Sequence, residues 1–383
     1  MIVRSMAAAL AVVLVSASPA AARPGDWEVV PVGPGPANLV ATAALAADDV
    51  WAAGFGIRQE VTDGRPSFSF EPQVRHWNGG AWSAVPTPPL GKGVSGRLEA
   101  IAAAAPDQVW AVGDADEGRD RSLIEHWDGT TWTRVPADDV PDVDQALLGV
   151  AAISRTDAWA IGSAGYADHT EPVAQHWDGV RWTRVPLPAG LDDAALSAVA
   201  ADGPAGVWAA GLVASGESTE PLLLRWDGVS WSRVALPPTA GLGQARLNAV
   251  TVSRGQVWAV GSSTVGGALN RKPLAFRVDG RGAVLDRTPD EQGQLNGVTT
   301  VGRDVWAVGY QYDDSAKPHA YALRGGADGE WRRAPAPEEA GATLFGVTTV
   351  PGTRTLWTSG AMDGAEPGLP APLVARMRTT AAG

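Results

Sequence analysis

Two tryptophan-containing phrases recur along the chain, and this repeat restricts the fold more than any other feature. The first reads HWDGTTWTRVP at His126–Pro136 and HWDGVRWTRVP at His176–Pro186, with looser copies at His76–Pro86 and Arg225–Val234. The second, V-W-A-x-G and its variants, places tryptophans at Trp51, Trp110, Trp159, Trp208, Trp258, Trp306 and Trp357, at intervals of 59, 49, 49, 50, 48 and 51 residues. Periods of about 40–50 residues are typical of propellers and solenoids. The spacing therefore indicates seven copies of one structural unit.

Each unit divides into four short segments that have the composition of β-strands. A leucine stands 11–13 residues before each of these tryptophans, at Leu39, Leu98, Leu147, Leu196, Leu247, Leu295 and Leu344. Two positions later comes alanine or glycine, and then a β-branched residue. The other segments are V-W-A-x-G, an apolar run into H/R-W-D-G, and W-x-x-V-P, while Asp128-Gly129 and Asp178-Gly179 predict tight primed hairpin turns. Four antiparallel strands in each of seven units predict an all-β, seven-bladed β-propeller.

The two ends of the chain supply complementary parts of one unit. The last unit has three segments, Leu344–Val350, Leu356–Met362 and Pro372–Met377, and no fourth. The stretch Asp26–Pro31 has the pattern of that missing segment: Trp27, Val30 and Pro31 match Trp132, Val135 and Pro136. We therefore expect the N-terminal strand to join the last blade and close the ring, which leaves no free sheet edge at the seam.

The tryptophans and the small residues have a structural interpretation in such a ring. A blade cannot bury both faces of its sheet alone and must stack on its neighbours. All 17 tryptophans lie at repeat positions, and each buries about 150–250 Å² when packed. We therefore expect tryptophan to join adjacent blades, and the alanine or glycine after each leucine to let the innermost strands approach closely.

The first 22 residues have the layout of a secretory signal. Arg4 precedes the apolar run Met6–Val15, and Ala20-Ala21-Ala22 forms an A-x-A cleavage pattern. We expect a signal peptide at 1–22 and one propeller domain at 23–383, secreted to the extracellular space. The chain has no cysteine, so its stability must come from core burial rather than disulfides.

The charge excludes some partners. Without Arg4 the chain has 29 basic residues (30 − 1) against 42 acidic ones, a net charge of −13. This surface would repel nucleic acid, and no other apolar stretch is long enough to span a membrane. We expect a monomer whose partner is an extracellular protein or glycan.

The pairing of V-W-A-V-G with W-D-G-x-x-W resembles secreted bacterial propellers of the BNR-like type, including relatives of the photosystem II assembly factor. The resemblance covers the whole of 23–383 and implies a propeller that binds a partner and is rarely a catalyst by itself. One departure weakens any transfer of sialidase chemistry: the Asp-box of sialidases runs D-x-G-x-T-W, whereas here Asp128 and Gly129 are adjacent and Trp132 follows four positions after the aspartate.

The long connections between the second and third strands, such as Phe55–Gln73 and Tyr310–His319, differ between repeats. Together with the links from each blade to the next they form one face, here termed the loop face, and this variability marks it as the functional face. Exposed tyrosines favour recognition over catalysis. The predicted binding residues, at the tunnel mouth and on these loops, are Glu99, Asn248, Asn296, Tyr166, Tyr310, Tyr312, Asn270 and Arg271.

The sequence predicts no catalytic residue, metal site or cofactor. His76, His126 and His176 share one repeat position with Arg225, which suits a polar contact at a strand edge. The acidic loops at Asp114–Asp120 and Asp138–Asp144 depart from the EF-hand spacing, so Ca²⁺ is the one cofactor left as a possibility.

We therefore favour a secreted, non-catalytic propeller that binds a protein, peptide or glycan on its loop face. The alternatives are a polysaccharide-cleaving glycosidase or lyase centred on Glu99, and a lectin that holds sugars between blades, with Arg75 and Glu125 as candidates.

Overall fold

A computed structural model describes residues 25–62, 65–166, 169–239, 241–264 and 270–380. Its strands form seven sheets of four antiparallel strands each, arranged as a ring, so the predicted seven-bladed propeller is confirmed. None of the described residues is helical. No helix that could cross a membrane is therefore found in this part of the chain. The predicted signal peptide lies outside the described residues.

The strands follow one another blade by blade. The chain starts with β1 (Glu28–Val29), and blade 1 is β2 (Ala37–Ala46), β3 (Asp49–Thr62), β4 (Arg65–Trp77) and β5 (Trp82–Val85). Blade 2 is β6 (Ser95–Ala105), β7 (Gln108–Asp116), β8 (Asp120–Trp127) and β9 (Trp132–Arg134). Blade 3 is β10 (Asp144–Ser154), β11 (Asp157–Gly165), β12 (Thr170–Trp177) and β13 (Trp182–Arg184). Blade 4 is β14 (Ala194–Ala201), β15 (Val207–Ser215), β16 (Ser218–Trp226) and β17 (Trp231–Arg233).

The last three blades continue the same order. Blade 5 is β18 (Gln244–Ser253), β19 (Gln256–Thr264), β20 (Arg271–Asp279) and β21 (Gly282–Leu285). Blade 6 is β22 (Gln294–Val301), β23 (Asp304–Tyr312), β24 (Pro318–Gly325) and β25 (Arg332–Arg333). Blade 7 is β26 (Thr343–Thr349), β27 (Thr355–Asp363) and β28 (Pro370–Arg378), and β1 is its fourth strand.

The N-terminal strand closes the ring as predicted. In β1, Glu28 pairs with Arg376 and Val29 with Ala375 of β28. A salt bridge of 2.9 Å between the side chains of Glu28 and Arg376 adds to this pairing. The Trp27 indole donates a hydrogen bond of 2.7 Å to the carbonyl of Pro335 in the preceding blade. The first strand is therefore held by two blades.

The tryptophans join adjacent blades, which confirms their predicted role. The indole of Trp51 in blade 1 lies 5.3 Å from Trp127 and 5.7 Å from Trp132, which are both in blade 2. The same group of three recurs with Trp110, Trp177 and Trp182, with Trp159, Trp226 and Trp231, and with Trp357, Trp77 and Trp82. Each group contains one indole from strand 2 of a blade and two from strands 3 and 4 of the next blade.

The small residues have their predicted role too. A Cβ atom added at Gly149 would lie 3.2 Å from the Cα of Ala198, and one at Gly346 would lie 3.0 Å from the Cα of Ala41. Both contacts are with the innermost strand of the next blade. The inner strands therefore approach so closely that larger side chains would separate the blades.

Two sequence-based expectations need correction. The Asp-Gly connections are loops of four residues rather than tight primed turns, because Trp127 pairs with Trp132 and the Asp128 carboxylate accepts the N–H groups of Thr130 and Thr131 at 2.8 Å. The expected long loop Phe55–Gln73 is mostly a two-stranded ribbon, since β3 and β4 stay paired out to Thr62 and Arg65.

Candidate binding site at the tunnel mouth

Every inner strand has a bulge at the same repeat position. The register shifts between the strand-1 leucine and the small residue two positions later, as between Leu98 and Ala100. The residue left in the bulge is Val40, Glu99, Leu148, Ser197, Asn248, Asn296 or Phe345, in blade order. The bulges therefore place the predicted residues Glu99, Asn248 and Asn296 at equivalent positions on the inner strands.

One polar cluster, here termed the basic rim, consists of Arg246, Arg271, Gln294, Asn296, Tyr310 and Tyr312. The guanidinium of Arg271 donates to the Tyr310 hydroxyl at 3.2 Å and also to the amide oxygen of Gln294. The amide nitrogen of Gln294 donates to Asn296 Oδ1 at 2.6 Å. The rings of Tyr310 and Tyr312 meet nearly at right angles, with 5.4 Å between their centroids. Four predicted residues are thus brought together where blades 5 and 6 meet.

Arg246 is the member of the basic rim that lacks a counter-ion. Its side chain is half-buried, and burial lowers its pKa, as does the neighbouring positive charge of Arg271. Within the described part of the chain, the Arg246 side chain makes no hydrogen bond or ion pair, although its backbone pairs with Ser262. A half-buried guanidinium is stabilised by a carboxylate or another planar anion that accepts two of its N–H bonds. The basic rim is therefore suited to binding an anionic group.

A second cluster lies on blades 1 and 2. Arg97 Nη2 donates to both carboxylate oxygens of Asp114, at 3.2 and 3.3 Å, and Arg97 Nε lies 3.7 Å from Glu99 Oε1. The guanidinium also lies over the Phe70 ring, 5.5 Å from its centroid. Burial raises the pKa of Glu99 to about 7, although the charge of Arg97 opposes the shift. Glu99 therefore changes charge near neutral pH.

The other predicted binding residues have different surroundings. The Asn248 and Asn296 amides donate to the carbonyls of Leu295 and Leu344 at 2.8 and 2.9 Å, so both side chains connect adjacent blades. Tyr166 stacks in parallel on His169 at 4.6 Å, next to the β11–β12 connection of blade 3. Blade 4 separates it from the basic rim. Asn270 is exposed directly before β20.

The sequence prediction missed Arg97, Arg246 and Gln294. Each is the residue directly before a strand-1 leucine, and each pairs with the residue that follows the V-W-A-x-G glycine. This repeat position varies as widely as the bulge position, with Asn38, Arg97, Ala146, Ala195, Arg246, Gln294 and Thr343 in blade order. Comparing that position between repeats would have identified these residues.

The histidines and acidic loops have structural contacts. His76 Nε2 and His176 Nε2 each lie 2.9 Å from an aspartate oxygen, of Asp49 and Asp157, as expected for a polar contact at a strand edge. The expectation is wrong for His126, whose Nε2 has no hydrogen-bond partner among the described residues and whose ring packs on Trp110 at 4.4 Å. Asp138 accepts the N–H of Arg184 at 2.8 Å, and Asp139 accepts the N–H of Ser122 at 3.1 Å. Among the residues that the structure describes, no group of three or more His, Asp or Glu side chains is placed to hold a metal ion.

Comparison with known proteins supports the fold. No family model matches the chain, and no curated protein does. Among solved structures, YCF48 bound to D1 peptide aligns with 92% of this chain and 96% of that chain, with a TM-score of 0.57 and 11% identity. At this identity the similarity establishes the fold alone. It agrees with the predicted resemblance to the photosystem II assembly factor at the level of a seven-bladed propeller.

Proposed function

We propose that this protein is a non-catalytic binding propeller that holds a peptide segment of a partner protein at the tunnel mouth, with a carboxylate of that segment on the basic rim. The observation that carries the proposal is the half-buried guanidinium of Arg246, which lies close to Arg271. Arg246 itself has no acidic partner in the described part of the chain. The Tyr310 and Tyr312 rings beside it offer apolar area with polar tips, which suits peptide recognition.

The similarity to YCF48 bound to D1 peptide favours a peptide over a glycan as the ligand, because a propeller of the same shape is seen with a peptide. The glycan alternative between blades loses support from the position of Glu125. That side chain has no exposed surface, so a sugar could reach it only if the blades separated.

The proposal is tested by selecting ligands from a displayed library of random peptides and measuring the affinity of the selected peptides. We expect acidic peptides to be enriched and Arg246→Gln to weaken their binding about 10–100-fold, the effect of losing a charged hydrogen bond of about 1.5–3 kcal/mol. Arg281→Gln is the matched control, since Arg281 is exposed in the turn after β20 on the opposite face. Enrichment of peptides that Arg246→Gln binds as tightly as the wild type would contradict the proposal.

A second candidate, polysaccharide cleavage, is supported by one observation: the pKa of Glu99 near 7 is suited to a general acid or base. It requires that the wild type release reducing ends from a polysaccharide and that Glu99→Gln abolish this release. Activity that persists in Glu99→Gln would eliminate Glu99 as the catalytic group.

We also propose that the protein is exported and works outside the cell. The support is the sequence of residues 4–22, with its positive start, apolar run and A-x-A site. Full-length chain expressed in a bacterial host should appear in the extracytoplasmic fraction with Arg23 as its first residue, as read by N-terminal sequencing. An uncleaved chain that stays in the cytoplasm would refute this.

A further inference from the structure

At four blade boundaries, an indole from strand 3 of one blade covers the strand-2 tryptophan of the blade before it. The pairs are Trp77 on Trp357, Trp127 on Trp51, Trp177 on Trp110, and Trp226 on Trp159, with 4.9–5.3 Å between ring centroids. The covering indoles of Trp77, Trp127 and Trp177 also donate to a backbone carbonyl at 3.1 Å. We term this position the indole seat.

Among the described residues, no strand-3 indole occupies the indole seat between blades 6 and 7, although the strand-4 indole of Trp27 packs at this boundary. The residue at the covering position is Met377, and Met377 and Trp306 are both buried, with 2% and 4% of their surface exposed. Beside them, a cavity of about 630 Å³ is lined by Trp306, Met377 and Pro335. The loop that joins strands 3 and 4 in other blades is replaced here by the two ends of the chain, because the fourth strand is β1. Gly25 and Thr380 both line this seam cavity. The cavity therefore lies where the ring closes.

The wall of the seam cavity is rich in arginine. Its lining contains Arg303, Arg324, Arg332 and Arg333 against Asp304 and Asp328. Asp304 pairs with Arg324 at 3.0 Å and also with Arg354, which lies outside the lining, at 3.2 Å. Arg332 pairs with Asp328 at 3.0 Å, whereas the exposed Arg303 makes no ion pair in the described part of the chain. The aspartates are thus outnumbered by arginines, although the whole chain has a net charge of −12. This local excess of positive charge favours an acidic ligand.

At two other blade boundaries, a residue other than tryptophan stands at the covering position of the indole seat. Between blades 5 and 6, Gly325 stands at the covering position and Trp331 fills the space, since a Cβ atom on Gly325 would lie 2.6 Å from the Trp331 ring. Between blades 4 and 5, Val278 leaves a cavity of about 800 Å³ over Trp208. The charged lining of that cavity is Asp202, Asp279 and Arg225, so its charge is opposite to that of the seam cavity.

We propose that the seam cavity binds a tryptophan side chain of a partner polypeptide, flanked by acidic residues. A polypeptide indole fills the same seat at four other boundaries, stacked on the equivalent tryptophan. Residues 1–24 and 381–383 contain no aromatic residue, so these two segments do not supply a ring. This interaction is separate from the one proposed for the basic rim, since the seam cavity lies on the face of the strand 1–2 and 3–4 turns.

The test uses three acetylated, amidated and fluorescently labelled pentapeptides, Gly-Glu-Trp-Glu-Gly, its Trp-to-Ala analogue and its Glu-to-Lys analogue, titrated against the full chain by fluorescence polarisation. We expect saturable binding of the first peptide. The alanine analogue should bind at least about 10-fold more weakly because the buried aromatic anchor is lost. The lysine analogue should also bind at least about 10-fold more weakly because it faces the arginines.

Single substitutions test whether the peptide binds in the seam cavity. Met377→Trp should fill the seat and abolish binding, whereas Val278→Trp, which fills the seat of blades 4 and 5, should leave it unchanged. Arg303→Gln, a surface change that does not endanger folding, should weaken binding about 3-fold or more and reduce its salt dependence. Arg246→Gln should have no effect, which separates this proposal from that for the basic rim. Equal binding of the tryptophan and alanine peptides, or unchanged binding by folded Met377→Trp or by Arg303→Gln, would overturn the proposal.

Discussion

The phrase H-W-D-G can be explained residue by residue from the structure. In blade 3, His176 contacts Asp157, and Trp177 covers Trp110 of blade 2. The Asp178 carboxylate accepts the N–H groups of Val180 and Arg181. Gly179 has a φ of 95°. Only glycine adopts that φ readily. Each letter of the phrase therefore has a separate structural reason.

Glu125 is a carboxylic acid in a position that should cost the folded protein stability. It precedes the histidine of the same phrase in blade 2, has no exposed surface, and neither carboxylate oxygen has a hydrogen-bond partner among the described residues. Burial raises its pKa to about 8, with only the charge of Arg134 opposing the shift. The folded protein therefore keeps this carboxyl protonated at neutral pH.

We predict that Glu125→Gln stabilises the protein increasingly as the pH rises. Because the folded pKa is above the ordinary value of 4.5, the wild type loses stability as the pH rises from about 4.5 to about 8, where only the unfolded chain ionises. The glutamine avoids this loss, so its advantage should reach about 2–4 kcal/mol near pH 8 and vanish near pH 4. Chemical denaturation at a series of pH values measures the difference.

Gln175 provides the control, since it occupies the same position in blade 3, is fully buried, and accepts the N–H of Asp138 at 2.9 Å. Gln175→Glu should lower stability and create a loss with rising pH that the wild type lacks at this position. If Glu125→Gln has the same stability relative to wild type at every pH, Glu125 is ionised or solvated in the folded protein.

At the scale of the element, the inner strand and its bulge explain why V-W-A-x-G ends in glycine. A Cβ atom on this glycine would lie 1.8–2.0 Å from the backbone carbonyl of the residue before the strand-1 leucine, in all seven blades. The bulge in strand 1 accompanies this close approach, and it also releases the residue after the leucine from regular pairing. The same backbone geometry thus accounts for a motif and for the position of Glu99, Asn248 and Asn296.

We predict that Gly211→Ala destabilises the protein by about 2–4 kcal/mol, because its Cβ atom would lie 1.9 Å from the Ala195 carbonyl oxygen, a backbone atom that cannot move without disturbing the strand pair. Thermal or chemical denaturation measures the loss. Gly280→Ala is the matched control, since its Cβ atom would meet nothing within 4 Å and its φ is not in the left-handed region. Equal stability of the two variants would show that the inner strand adapts to the added methyl group.

At the scale of the whole molecule, the ring is uniform in architecture but uneven at its boundaries. Four boundaries share the group of three tryptophans, one is filled by Trp331, and two contain cavities, over Trp208 and Trp306. The cavity over Trp306 lies at the seam where the chain ends meet. The N-terminal strand that completes the last blade therefore lies beside one of the two cavities.

The sequence by itself determined the number of blades, the four strands of each, the closing strand at Asp26–Pro31 and the structural role of the tryptophans. These features follow from local patterns that recur seven times, so each copy confirms the others. Four of the residues predicted to bind a partner, Asn296, Arg271, Tyr310 and Tyr312, lie together in the structure.

Only the tertiary structure decided which of the predicted binding residues lie together and which instead make contacts elsewhere in the ring. Arg246 and Tyr310 are 64 residues apart (310 − 246) and meet because neighbouring blades pack side by side around the ring. Tyr166 belongs to a different blade, and the fully buried position of Glu125 depends on the blades on either side of it. A repeat pattern determines where a residue lies within its own blade. The burial of a side chain, its ion pairs and any cavity beside it depend on the residues of the adjacent blade that pack against it. Those residues differ from one blade to the next.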